Sequence, residues 1–334
     1  VWSESAGRFF LLPETWINSV NSRRFVGYST ATRLSTCSVR NRASLWIDAE
    51  TDVSLIMDGI YGDVPPLNQT RAESLAITAS PHPGNSRWVR HISASGLICG
   101  YDSRKYQGVD ANCRAFAGEP DSLTELETPQ GRSGSKAHCI DDAGLVVGYS
   151  LDTDRPSTWR PTAWILHGSS STMVHEGLEP GFFHHCSGGE FAVGSVFRNG
   201  VHIGGVFDFK RNSWRLVYDL VDVLESSHQN IKLWGCNSSG WAVGFCYSTS
   251  SAEQSEGRAV IVPPGSETAY VMDAILAGMQ VILRGQNAGS IGIDVSLTYC
   301  ESISESNTIA VSGYSHRIGA DFLLILECIE HSLT

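Results

Sequence analysis

The chain has 334 residues, a formal net charge of −11, 42% hydrophobic residues, 33 glycines and 12 prolines. With no basic cluster, this charge excludes nucleic acid and anionic membranes as partners, and no apolar run approaches the roughly 20 residues needed to span a bilayer. The scattered acidic residues select no positive partner, because they are the ordinary solubilising surface of a folded chain.

The first apolar segment, GRFFLLPE from Gly7 to Glu14, has no hairpin partner of its own. Next come Trp16, the run FVGYS and a strand, ASLWI, from Ala43. Residues Gly62 to Val89 carry Pro65, Pro66, Pro81, Pro83 and the sequon Asn68-Gln69-Thr70, and read as an exposed loop. A second unit follows, with Arg90 and His91, a turn ending at Gly96, then ICGYD and RAFA. The third unit, Lys136 to Gly168 and onward, is the clearest. CIDDAGLVVGYS predicts two strands about the turn Asp141 to Gly144, TAWIL a third and TMVHE a fourth. The fourth unit has His184 and His185, AVGSV and GGVFDF, and LVYDLVDVL at Leu216 reads as a strand followed by a helical turn. The fifth has Trp234, AVGFC and RAVIV. Residues Ala274 to Thr298 begin with helix-like ILAGM and continue as a glycine-rich loop expected to fold over one mouth of the structure. The last unit has Tyr299, VSGYS and ADFLLIL.

One glycine closes the second strand of every unit: Gly27, Gly100, Gly148, Gly194, Gly244 and Gly313, spaced 73, 48, 46, 50 and 69 residues apart. These intervals bracket the roughly 40 to 50 residues of a four-stranded propeller blade, and the two long gaps hold the insertions. The expected fold is therefore all-β, a six-bladed β-propeller of four-stranded antiparallel blades in one domain, 1–334. The N-terminal strand is expected to complete the last blade, the alternative being an extension packed across one face. A hairpin glycine precedes three anchors by four residues, at Gly96, Gly144 and Gly240. Arg23, Glu190 and Ile309 stand there in the others, so those turns are expected to differ.

Nine cysteines would pair in an oxidising compartment or stay as buried thiols in a reducing one. Those within strands read as small core side chains, and Cys37 with Cys113 as the pair suited to a disulfide. A start at Val1 and two sequons, at Asn68 and at Asn237 in a predicted hairpin turn, suggest a secreted glycoprotein whose signal peptide has been removed, although trimming explains the start equally well.

The order of polar turn, glycine, VVGYS, spacer and a third strand of AFxW type resembles the extracellular repeats of the HAF type, units three to five most closely. That resemblance implies a propeller-like fold and secretion. In overall character the chain is also similar to the fungal hetero-Diels-Alderases of tropolone-sesquiterpenoid biosynthesis. This implies dehydration of a hydroxymethyl tropolone to a quinone methide and its stereoselective cycloaddition with a macrocyclic terpene alkene.

The residues nine or ten positions before each anchor are expected to line a central funnel: Arg90 and His91, His138, His184 and His185, Trp234, with Tyr299 in a shifted register and Trp16 eleven positions before its anchor. Their chemistry suits a hydrophobic small molecule with one polar or acidic end. His138 or His184 would be the catalytic proton donor, Arg90 the cation for a tropolonate, and Trp234 and Tyr299 orienting walls; His91, His185 and Trp16 complete the substrate-binding set, with no metal or cofactor required. Each histidine is also read as a possible staple between blades. The aromatics after the anchors, Tyr28, Tyr101, Tyr149, Phe245 and Tyr314, are read as packing. The competing classes are a lectin-like carbohydrate binder, which would repeat its ligand residues in each unit, and a non-catalytic interaction module.

Overall fold

The computed structural model describes residues 2–3, 8–9, 15–20, 24–32, 39–47, 86–106, 109–152, 158–221, 228–248, 257–273, 295–315 and 320–327. They form two compact units, Val1–Glu176 and Gly177–Thr334. The first unit opens with β1 (Trp2–Ser3) paired to β2 (Arg8–Phe9). Its three larger sheets are β3 (Thr15–Val20), β4 (Arg24–Thr32) and β5 (Val39–Ile47); β6 (Ser86–Ile92), β7 (Ile98–Tyr106), β8 (Val109–Glu119) and β9 (Ser122–Glu125); and β10 (Arg132–Ile140), β11 (Leu145–Asp152), β12 (Trp159–His167) and β13 (Ser170–Glu176).

The second unit has β14 (Gly181–Ser187), β15 (Phe191–Arg198), β16 (Val201–Asp208) and β17 (Ser213–Leu216) in one sheet. A five-stranded sheet contains β18 (Asp219–Val221), β19 (His228–Cys236), β20 (Ala242–Ser248), β21 (Arg258–Val262) and β22 (Thr268–Val271). The last sheet has β23 (Val295–Ile303), β24 (Thr308–Ser315) and β25 (Ala320–Glu327). Apart from β1 and β2, every sheet is built on an antiparallel meander in chain order, the form of a propeller blade. The one addition is β18, which joins the outer edge of β22 in parallel.

The meander is written in one recurring clash. On the first meander strand of each larger sheet a bulge leaves one residue unopposed: between Ile17 and Ser19, Val89 and His91, Ala137 and Cys139, Phe183 and His185, Leu233 and Gly235, and Leu297 and Tyr299. The anchor glycine pairs with the residue before that bulge, as Gly100 does with Val89 and Gly148 with Ala137. A Cβ there would stand 1.9 Å from Trp88 O at Gly100, 2.0 Å from Lys136 O at Gly148, 1.9 Å from Phe182 O at Gly194 and 2.0 Å from Lys232 O at Gly244. The bulge aims a carbonyl into the space a side chain would occupy, so glycine is required by close approach.

Turn chemistry repeats as well. Asp141 Oδ1 accepts from the backbone N–H of Leu145 at 3.0 Å, Ser93 Oγ from Leu97 at 3.2 Å, Asn237 Oδ1 from Trp241 at 3.2 Å and Ser304 Oγ from Thr308 at 3.0 Å. Each side chain thereby closes its own turn. The turn at Ser304 keeps this chemistry with Asn307 in the left-handed region, and a second bulge, between Cys300 and Ser302, absorbs the longer strand. In the fourth repeat Gly188 and Gly189 take the left-handed positions instead.

Small residues fill the space between sheets. In the first unit Cys99, Ala115, Ala117, Ala137 and Val146 surround Trp164, which is fully buried and donates its indole N–H to Glu127 O at 2.8 Å. In the second, Val193, Val206, Leu233, Cys236 and Val260 do the same. Burial of Val193, Val206, Leu233 or Val260 contributes about 1.5–3 kcal/mol each by leaving water.

Arg8–Phe9 pairs with Trp2–Ser3, so that segment does have a local partner; residues 7 and 10–14 lie outside the described residues, and the last sheet has three strands among those described. Other expectations change. In the run from Leu216, Asp219–Val221 forms the strand β18, and residues 222–224, the end of that run, lie outside the described residues. Ser86–Val89 belongs to β6 and Val295–Thr298 to β23; the rest of both insertions, together with Cys37 and Asn68, lies outside the described residues. The seven described cysteines are buried thiols, and Cys113 lies within β8 rather than in a loop. Asn237, expected to be accessible to a glycan, is fully buried, and its amide nitrogen donates to Ser304 O at 3.1 Å and Asn307 Oδ1 at 2.7 Å. No helix among the described residues is long and apolar enough to cross a membrane.

Candidate functional site

The bulge residues Arg90, His138, His184 and Trp234 occupy the equivalent unopposed position in four sheets. In the last sheet that place belongs to Thr298. Tyr299 lies opposite Ser312, the residue before the anchor, and so corresponds to His91, Cys139, His185 and Gly235. Trp16, on β3, lies opposite Tyr28 and precedes its bulge by two residues, in register with Trp88, Lys136, Phe182 and Lys232.

In the first unit His91 bridges neighbouring sheets. Its Nδ1 accepts from the backbone N–H of Ile140 at 3.4 Å and lies 3.6 Å from Cys139 Sγ. The same contact recurs in the second unit, where His185 Nδ1 lies 3.7 Å from Cys236 Sγ. These two histidines therefore have the geometry of staples. His138 meets Tyr149 edge-on at 5.0 Å, and Tyr149 stacks on Trp159 at 5.5 Å. Arg90 is half-buried, with no ion pair among the described residues.

The second unit brings the most rings together. His184 meets Phe182 edge-on at 4.6 Å and Trp234 at 5.6 Å. Trp234 stacks on Tyr299 at 6.1 Å with an interplanar angle of 10°, and both meet Phe245 edge-on, at 4.8 and 4.9 Å. Phe245 in turn stacks on Tyr247 at 5.7 Å. Beside this wall His202 lies 5.8 Å from Phe182 and 5.0 Å from Phe197, with its Nδ1 3.2 Å from Ser195 Oγ. Burial and the nearby Lys232 lower its pKa to about 4, so it is a neutral imidazole at pH 7. Burial also lowers the pKa of Lys232, whose Nζ sits 5.1 Å above the Tyr247 ring.

Thus His184, Trp234 and Tyr299 are united in one cluster, while His138 and Arg90 belong to the first unit. Sequence reasoning missed Asn230, Lys232 and His202. The signal for the first two was simple alternation, since positions two and four before the bulge residue share one face of the strand. Within either unit alone, the described residues group no three histidine, cysteine or carboxylate side chains at metal-ligating range. An open groove of about 730 Å³ lies elsewhere in the first unit, against the edge strands β9 and β13, lined by Arg114, Glu125, Arg132 and Ser170.

No family model matches the chain, and no curated protein matches it in sequence. Among solved structures it is similar to the β-propeller domain of the Trilobed protease from Pyrococcus furiosus, with 9% identity and a TM-score of 0.47, over 93% of this chain and 82% of that one. A chain from a structural and mechanistic analysis of two prolyl endopeptidases aligns with 11% identity and a TM-score of 0.47, over 90% of this chain and 39% of that one. TolB from Acinetobacter baumannii aligns with 10% identity and a TM-score of 0.37, over 71% and 55%. This chain thus spans less than two thirds of the latter two.

Proposed function

We propose that the chain is a secreted six-bladed propeller enzyme that orients an apolar small molecule with one polar or acidic end against the ring wall of its second unit. The single observation carrying this reading is the contiguous cluster of His184, Phe182, Trp234, Phe245 and Tyr299. Its asymmetry supports one catalytic site over a lectin. The bulge residue and its successor are Arg-His, His-Cys, His-His, Trp-Gly and Thr-Tyr in successive sheets, whereas a carbohydrate binder with one site per blade would repeat them.

In this reading the reaction is of the hetero-Diels-Alder type. His184 gives a proton to the leaving hydroxyl of a hydroxymethyl tropolone, the C–O bond breaks, water departs, and the imidazole so freed takes up the ring hydroxyl proton, leaving a neutral quinone methide. Its oxygen and exocyclic carbon then bond to the two carbons of a macrocyclic terpene alkene, with no change of redox state. The residues supply a proton and orientation, the second through aromatic walls that hold both partners in a near-attack pose. The N-terminal segment is proposed to supply a fourth strand to the last sheet, through residues beyond its pairing with β1.

The test is to incubate the purified protein with a hydroxymethyl tropolone and a macrocyclic terpene alkene and to follow adducts by chiral chromatography with mass detection. A single enantiomer formed faster than in buffer is expected, and His184→Ala should slow it by roughly 10² to 10⁴-fold. A racemic product at the buffer rate removes the proposal, and a hit on a glycan array would then favour the lectin.

A further inference from the structure

β19 presents a row of donors to which the described residues offer no acceptor. Asn230 and Lys232 lie opposite Tyr247 and Phe245 on β20, so the four side chains share one face of the sheet. Asn230 is 2% exposed, and its Oδ1 accepts the backbone N–H of His202 at 2.9 Å. That bond fixes the amide orientation, leaving Nδ2 buried without an acceptor. The ammonium of Lys232 is half-buried and has no carboxylate partner among the described residues; its one ring contact is the face of Tyr247. Further along the strand the indole N–H of Trp234 is also buried without an acceptor, while its ring edges Phe245.

Buried donors in folded proteins are almost always satisfied, and a desolvated cation is normally paired. Here the amide, ammonium and indole stand on one strand beside four aromatic rings. His202 adds no competing positive charge at neutral pH, since burial and Lys232 hold it neutral. The complementary ligand is flat, conjugated and negatively charged: its ring lies on the aromatic wall and its oxygen meets the donors.

We propose that the β19 face carrying Asn230, Lys232 and Trp234 is an anion subsite that binds the ionised oxygen of a planar conjugated ring. Lys232 is its counter-ion and Asn230 its principal hydrogen-bond donor. This rests on the reading of the second unit's ring wall as a ligand site, and it assigns to Lys232 the role that sequence reasoning gave to Arg90.

The experiment uses benzoate and its neutral isostere benzamide, which do not presuppose the cycloaddition, with binding to the full chain measured by calorimetry at low and high salt. Benzoate should bind at least about tenfold more tightly than benzamide, and added salt should erode that preference. Lys232→Met should abolish the preference while leaving benzamide binding unchanged, and Lys232→Arg should restore it. Asn230→Asp keeps the acceptor for His202 but places a carboxylate where the anion would sit, so it should lose benzoate alone; it also decides the matter if Lys232→Met does not fold. Equal affinity for both probes, no benzoate binding, or a retained preference in these variants overturns the subsite. Adduct formation is scored separately: anion-selective binding without cycloaddition leaves the subsite standing and removes the proposed reaction, whereas cycloaddition with an unaltered rate in folded Lys232→Met does the reverse.

Discussion

The carbonyl oxygen of Lys136 lies 2.0 Å from the point where a Cβ on Gly148 would be. Neither group can move without breaking the β10–β11 ladder, which holds Ala137 opposite Gly148 and Lys136 opposite Tyr149. Gly148→Ala should therefore destabilise the protein by about 3 kcal/mol or more, at the upper end of overpacking. Gly168→Ala, where a Cβ meets nothing within 4 Å, should cost about 1 kcal/mol through its positive φ alone. Urea denaturation of both variants provides the comparison, and equal costs would contradict the clash.

Asn237 should carry no glycan when the chain is expressed in a glycosylating host. Its amide nitrogen is committed to Ser304 O and Asn307 Oδ1 and its oxygen to Trp241 N, so attachment requires the hairpin to open. Peptide mass spectrometry should find Asn237 unmodified. Asn237→Ala should cost roughly 1–3 kcal/mol in buried, unsatisfied partners. An occupied sequon on folded protein would show that this turn is wrong.

Two turn carboxylates bind neighbouring turns. Asp142 accepts from Ser95 N at 2.7 Å, and Glu305 accepts from Ser238 N at 3.0 Å and from the hydroxyls of Ser187 and Ser238. Burial opposes ionisation of each, but these bonds outweigh it and hold both carboxyl groups below their ordinary pKa. A depressed folded pKa means stabilisation that is complete above the unfolded value, about 4, and lost as pH falls through the folded one. Asp142→Asn and Glu305→Gln should thus lower thermal stability at pH 7 and lose that deficit toward pH 3. A deficit that persists at pH 3 would assign the effect to packing.

The His202 ring should stay neutral far into acid. Between the ordinary pKa of 6.5 and the folded value of about 4, the unfolded chain takes up a proton that the folded one does not, so stability declines with falling pH across that window. Histidine resonances followed by NMR should show His202 titrating near 4. In Lys232→Met its pKa should rise, because the opposing charge is gone. A titration near 6.5 in the native protein would place the ring in water.

The strands were legible because side-chain alternation and turn chemistry are local: the third strands RAFA, TAWIL and RAVIV lie in β8, β12 and β21, and all of GGVFDF but its last residue lies in β16. Counting back from a glycine found Arg90, His138, His184 and Trp234 because the bulge keeps that distance constant. It failed for Tyr299, where a hairpin two cross-strand pairs longer and a second bulge lengthen the count, and for Trp16, which precedes its bulge by two residues. Asn230 and Lys232 were passed over because a lysine within a strand reads as solvent-facing until its neighbours are known. The stapling contacts of His91 and His185 depend on the next sheet, which spacing does not reveal.

The strand β18 belongs in sequence to the fourth repeat yet lies hydrogen-bonded along the outer edge of the fifth, through Asp219, Leu220 and Val221 opposite Thr268, Ala269 and Tyr270. An outer strand is where another molecule's backbone would otherwise add; here the chain itself covers β22 and leaves only the three-residue β18 as the free edge of that sheet. It also couples two neighbours mechanically. Pulling the fifth repeat outward first requires breaking the rung made by the fourth, so the pair should yield to force as a single event rather than as two.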